Sequence, residues 1–301
     1  MTRRKGTAIV IGVFDGVHAG HRALLRAALR RARAHKLSPA VLTFDRHPLA
    51  VLSPSSAPPV LMPLRERVRA LRDSGFPRVI VLRFSKALSR TSPEDFARHF
   101  LARRHRVREV VVGHDFRFGR GGRGNAALLR KLGRELGFGV TILPALRRGG
   151  AAVSSTRVRD AVSRGRMEEA ARLIGRPYRL DGTVVRGRKR GRKLGFPTIN
   201  LSPLPGILLP RLGVYAVRLL PGKKPAVADL GVRPTFGERP HHPVLEAHCL
   251  GVPPRLRPGA AASVEFLRFL RRERKFSGPA ALTKAIALDR KRALRLFRRG
   301  I

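Results

Sequence analysis

Read for the spacing of its apolar residues, the chain changes character once. From Ala8 to Leu143, short β-branched runs alternate with longer stretches of helical period, the sequence mark of a parallel sheet with crossover helices. The runs predict five strands, Ala8 to Phe14, Ala40 to Phe44, Arg78 to Leu82, Glu109 to Val112 and Val140 to Leu143. Helices are expected between them at Arg22 to His35, Leu64 to Asp73, Pro93 to His105 and Asn125 to Leu136, and the Pro- and Ser-rich stretch Pro48 to Pro63 reads as a surface loop. Two short helices follow, Arg157 to Ser163 and Met167 to Ile174. Beyond Pro177 the helical repeat gives way to strand candidates punctuated by Gly and Pro: Gly182 to Val185, Val214 to Leu219, Ala226 to Leu230, Val244 to Leu250 and Ser263 to Phe269. That pattern predicts a small antiparallel barrel, closed by a last helix from Pro279 to Arg298. The fold class is therefore α/β plus all-β, with a domain at 1–178 and a second at 179–301.

A length of 301 residues suits two domains. No run approaches the ~18 apolar residues of a membrane span, so a soluble protein is expected. Arg3, Arg4 and Lys5 ahead of an apolar run could pass for a signal peptide, but Asp15 cuts that run short and it is needed as a strand. The single cysteine, Cys249, rules out an internal disulfide and fits a reducing cytoplasm. Against 19 acidic residues stand 64 basic ones, a net charge of +45. Such a field would attract nucleic acid non-specifically and polyphosphate substrates alike. Biased arginine usage on solvated faces is the favoured explanation, since no nucleic-acid fold signature accompanies the charge.

Chemistry enters where the first strand meets its helix. GVFDGVHAGH, Gly12 to His21, puts His18 and His21 three apart, hence on one face of a helix, beside free N–H groups and the positive end of a helix dipole. Gly16 and Gly20 admit a close ligand, and an anion is the expected one. Solvated histidines near a turn are the plain alternative. With the flanking strand and helix, the stretch resembles the HxGH signature of the nucleotidylyltransferase superfamily, and its flavin-nucleotide branch in particular. Relatives carry Asn where Val13 stands.

Further along, VVVGHDFRFGRGGRGN (Val110 to Asn125) satisfies GxGxxG by letters but lies on the wrong strand, with no acidic residue at the required distance. It is similar instead to the loop that lines the flavin and nucleotide pocket of flavin adenylyltransferases. The resemblance gives Asp115, Phe116, Phe118, Gly119 and Asn125 a binding role, with His114 replacing the usual acid. SSTRVRD (Ser154 to Asp160) offers hydroxyls that suit a helix cap. By the same resemblance Ser154, Ser155, Thr156, Arg157 and Arg159 would reach ATP phosphates, Gly12, Phe14 and Gly20 would line the ATP site, and His18, His21 and Arg157 would be catalytic.

RLDGTVVRGRKRGRKLGFPTINL (Arg179 to Leu201) resembles the riboflavin kinase motif. That implies ATP binding by Gly187, Gly191, Gly195, Pro197 and Thr198, and Mg²⁺ on Thr198 and Asn200. Phosphorylating a neutral alcohol requires a base. Glu246 matches the family's glutamate, and Val244, Glu246 and His248 share a strand face by the period of two; a surface Glu paired with an arginine is the alternative. His241 and His242 read as solvated loop residues. GVYAV (Gly213 to Val217), LGVRPTFG (Leu230 to Gly237) and RRERKF (Arg271 to Phe276) follow in kinase order, although relatives have Asn where Asp229 stands.

The chain is thus identified as a member of the prokaryotic bifunctional riboflavin kinase and FAD synthetase family. Membership implies ATP, riboflavin and FMN as substrates, Mg²⁺ as cofactor, a cytoplasmic location, a monomer or weak oligomer, no membrane partner, and at most non-specific contact with nucleic acid. The rivals are an FMN adenylyltransferase with a degenerate kinase module and a basic nucleic-acid-binding protein.

Overall fold

A computed structural model describes residues 6–187, 196–232 and 243–301. The chain divides into two compact units, one of Met1–Pro59 with Pro63–Ser155, the other of Val60–Met62 with Thr156–Ile301.

In the first unit five strands form one parallel sheet. Thr7–Ile11 is the middle strand and is buried along its whole length, as the unbroken apolar run TAIVI requires of a strand covered on both faces. It pairs with Ser38–Phe44 on one side and Val107–Gly113 on the other, and Arg78–Leu82 and Gly139–Leu143 form the edges. Successive crossovers therefore run in opposite directions from the middle strand, and a crevice opens at the carboxyl ends of Thr7–Ile11 and Val107–Gly113. Both predicted binding loops leave from those two ends. The core joins Ile9, Ile11, Leu42, Val110 and Val112 of the sheet to Phe96, Leu101, Phe118 and Leu129.

Several boundaries differ from those expected. The first strand stops at Ile11 and not at Phe14, because Phe14 and Val17 adopt positive φ of 54° and 41°, a backbone turn that ends extended structure. The first helix starts earlier, at Ala19–Ala34, with His18 as its N-cap. The helix expected over 93–105 is a turn at Pro93–Asp95 running into a π-helix, Phe96–Arg104. The 48–63 loop contains a helical turn, Leu49–Leu52, and a bridge from Val60 to Ile207.

The second unit opens with the helices Ser155–Ser163 and Met167–Ile174 and closes six strands into a barrel. Five match the expected runs: Tyr178–Val185, Gly213–Leu220, Lys224–Val232, Pro243–Cys249 and Ala261–Arg271. The sixth, Thr198–Pro203, begins within the Arg179 to Leu201 motif and was not expected as a strand. Antiparallel register puts Tyr215, Ala228, Ala247, Leu230, Leu245 and Leu201 on one face, all buried. The other face carries Val214, Ala216 and Val227, which pack on Ala293 of the terminal helix, Pro279–Arg298. Arg271 fixes that helix through Asp289, 3 % exposed at its side chain and bonded at 2.9 Å and 3.2 Å.

Candidate active sites

In the first unit the turn after Ile11 builds a compact histidine site. His18 is extended at φ −69° and ψ 175°, so the two histidines do not both lie within the helix as expected. They meet in another way. The Nδ1 of His18 accepts the His21 backbone N–H at 3.2 Å, and the two imidazoles stack with centroids 3.6 Å apart and planes 14° from parallel. That cap satisfies a first-turn donor and puts the His18 proton on Nε2. Phe14, fully buried, meets His21 edge-on at 5.2 Å. A Cβ on Gly20 would stand 3.2 Å from the His18 ring and from the Val153 carbonyl, a tight fit against both. Ser155 Oγ donates to the Asp15 carbonyl at 3.3 Å, so the serine segment reaches the histidine turn. Gly12 bonds its N–H to Leu42 O at 3.1 Å, and Ser154 stands beside Ser155, half-buried.

Two residues that the motif reading missed hold this turn. The Val13 carbonyl accepts Thr43 Oγ1 and Arg67 Nη1, both at 2.9 Å, and Arg67 Nη2 donates to Phe44 O at 2.5 Å. Arg67 is 3 % exposed; burial lowers its proton affinity, and Asp15 and Asp45 oppose that shift. The signal was an arginine four residues from Leu71 on the buried stripe of Leu64–Asp73, where an apolar side chain is the norm.

After Val107–Gly113, Asp115 is exposed, with His114 Nδ1 4.0 Å away. Phe116 and Phe118 stack at 5.4 Å, and Gly119 starts the turn of a small hairpin, Arg117–Phe118 with Gly124–Asn125. Asn125 caps Ala126–Leu136, its Oδ1 accepting the Leu128 N–H at 2.9 Å.

In the second unit Thr156 is exposed, Arg159 is half-buried and Arg157 Nη2 lies 3.5 Å from Glu169 Oε1. The barrel supplies the other cluster. Register sets Glu246 directly between Asn200 and Asp229, and sets His248 between Thr198 and Val227. Glu246 therefore shares the face on which Val227 meets the terminal helix, as the period of two requires. His248 Nδ1 bonds the Pro197 carbonyl at 3.0 Å, and its ring meets Phe196 edge-on at 5.3 Å, which fixes the segment just before Thr198. Burial lowers the proton affinity of His248, and the Pro197 bond works against that. Gly187 lies against Asn200, where a Cβ would fall 2.2 Å from its amide nitrogen. Glu273, given no role above, covers Gly231; burial, then the neighbouring Asp229, push its carboxyl up, and Arg271 partly offsets them. Gly191, Gly195, His241 and His242 lie outside the described residues.

Among the described residues no three His, Cys, Asp or Glu side chains gather to hold a metal. The oxygens of Thr198 and Asn200 instead suit Mg²⁺, which takes few protein ligands and completes its shell from water and phosphate. No described helix is long and apolar enough to cross a membrane.

Comparison with known proteins matches both halves of the chain. The FAD synthetase family model matches residues 1–157 and the riboflavin kinase model residues 174–297. The bifunctional riboflavin kinase/FMN adenylyltransferase of Escherichia coli K12 is 38% identical over 98% of this chain and 94% of its own. That of Bacillus subtilis is 33% identical over 97% and 92%. The crystal structure of a macrolide-efflux protein from Streptococcus pneumoniae superposes with a TM-score of 0.86 and 28% identity, over 97% of this chain and 94% of that one. Both family models and near full-length identity converge on one conclusion: the chain belongs to the bifunctional riboflavin kinase/FMN adenylyltransferase family.

Proposed function

We propose that this chain converts riboflavin to FMN in its barrel and FMN to FAD at its histidine turn, consuming ATP in each step. The observation that carries the reading is the pair of separate clusters, stacked His18 and His21 in one unit and Glu246 beside Asn200 in the other. The activities are assigned to 1–178 for adenylylation and 179–301 for the kinase, in the cytoplasm, with the protein acting as a monomer or weak oligomer.

In adenylylation an FMN phosphate oxygen attacks the α-phosphorus of ATP; that P–O bond forms as the bond to the β-phosphate oxygen breaks, and pyrophosphate leaves. The nucleophile is already ionised, so the protein's task is alignment and neutralisation of charge. His18, through Nε2–H, and His21 serve the phosphates, with Arg157 and Arg159 as further cations. Ser154, Ser155 and Thr156 offer hydroxyls to the triphosphate, and Gly12, Phe14 and Gly20 shape its site. Asp115, Phe116, Phe118 and Gly119 receive the flavin and nucleotide. Asn125 contributes by capping the helix behind that loop.

The kinase step differs because the riboflavin hydroxyl must lose its proton as its oxygen attacks the γ-phosphorus and ADP departs. Glu246 accepts that proton. Thr198 and Asn200 would hold Mg²⁺, which when bound neutralises phosphate charge. Gly187, Gly191, Gly195 and Pro197 shape the loop around ATP.

Purified protein incubated with riboflavin, ATP and Mg²⁺ is expected to yield FMN and then FAD on chromatography. FAD from supplied FMN, with no FMN from riboflavin, would convict the kinase module alone; absence of both products ends the proposal.

A further inference from the structure

The terminal helix, Pro279–Arg298, has two faces of opposite character. Inward it turns Ala285, Asp289 and Ala293, all buried, with Leu296 and Phe297 packed beside them. Outward, Lys284, Leu288, Lys291, Arg295 and Arg298 recur at intervals of four, three, four and three, the spacing of one helical stripe, flanked by Arg292 and Arg299, and all are exposed. The helix has a single acid, Asp289, which is spent on Arg271. Among the described residues none of these six cations forms an ion pair. The helix dipole accounts for Arg295 and Arg298 in the last turn and for no cation before them. Like charges at Lys291 and Arg295, at Arg292 and Arg295, and at Arg295 and Arg298 repel one another along the helix.

We propose that this outer face binds the phosphodiester backbone of nucleic acid. A row of phosphates relieves the repulsion between the cations, and the stripe from Lys284 to Arg298 extends about 21 Å, long enough to follow about six base pairs. The net charge of +45 draws any polyanion toward the protein from a distance. An anionic membrane fits less well. Surface-bound amphipathic helices insert an apolar face into lipid, and here that face is used against the barrel, leaving Leu288 as the one large apolar side chain of the outer stripe. With cations alone presented, binding is independent of base sequence.

The test is fluorescence anisotropy of the full chain with labelled DNA and RNA duplexes of about 20 base pairs, across about 50 to 200 mM salt. The logarithm of affinity is expected to fall linearly with that of salt, with a slope of about −4 to −5 for about five phosphate contacts. Reversing Lys284, Lys291, Arg295 and Arg298 together to Glu should weaken binding more than about tenfold and flatten the slope by about 3 units, with FMN and FAD formation retained. The corresponding Gln set removes the same four contacts and should flatten it by a similar amount with a smaller loss of affinity, and it preserves the comparison if the Glu set unfolds. A control reversal of Arg26, Arg30 and Arg33, exposed on Ala19–Ala34, should change affinity less than about threefold. Equal losses from both helices would mean diffuse charge with no site, and overturn the proposal. So would binding to anionic vesicles that neither duplex can displace.

Discussion

At the scale of single residues the histidines were legible and their support was not. HxxH at a strand-to-helix junction points toward an anion site, and the structure brings the two rings together, by a stack at the helix start and not on one helical face. The positive φ of Phe14 and Val17 left no mark, because neither is a glycine. Arg67 was hidden for another reason: a lone arginine in an apolar stripe shows burial without showing what it bonds. Its Nη1 donates to the Val13 carbonyl and its Nη2 to the Phe44 carbonyl, which holds the backbone of the turn that leads to His18. Arg67→Met is therefore expected to slow FAD formation from FMN by about 10- to 100-fold through misplacement of the turn. FMN formation from riboflavin should hold steady as an internal control, and Arg67→Lys should restore part of the loss. A drop in both activities would reduce Arg67 to a folding residue. His21→Ala should abolish FAD formation and Glu246→Ala should abolish FMN formation, each measured with the substrate of its own step and each sparing the other.

Among elements, those with long, strongly periodic patterns were readable to within a few residues, including the terminal helix and all five parallel strands. The Thr198–Pro203 strand was missed because its first four residues, TINL, were assigned to the kinase motif, although Thr198, Asn200 and Ser202 alternate with Ile199 and Leu201 as a strand does. That oversight concealed the most useful fact about the kinase cluster, which is that Asn200 and Glu246 are direct cross-strand neighbours. The packing of the terminal helix was equally invisible, since nothing in the pattern joins Asp289 to Arg271. Replacing Asp289 with Ala leaves Arg271, 17% exposed at its side chain, without its partner, and should destabilise the second unit by about 3 kcal/mol. Denaturant unfolding followed on the kinase activity measures it. The Arg271→Met, Asp289→Leu pair should recover most of that stability, because replacing both ends of a buried ion pair by apolar groups is often neutral.

For the molecule as a whole, the composition change near Pro177 announced two folds, while the contacts divide the chain earlier, at Ser155, and assign the helices Ser155–Ser163 and Met167–Ile174 to the barrel unit. Those helices were read by period alone, and period says how a helix is striped but not which core receives the stripe; Met167, Ala170, Leu173 and Ile174 are buried, and the strand they meet, Ala261–Arg271, comes a hundred residues later in the chain. With the His18–His21 pair in one unit and Glu246 beside Asn200 in the other, neither reaction needs the other's pair intact on the same chain. Two variants, His21→Ala and Glu246→Ala, each blocked at one step, should then jointly make FAD from riboflavin when mixed, because FMN released by the first variant is substrate for the second. The rate should rise with the concentration of either variant and show a lag while free FMN accumulates. A mixture that stays at FMN, although each variant completes its own step alone, would mean that FMN passes directly between sites of one chain, and that the two units are coupled in a way their separate clusters do not require.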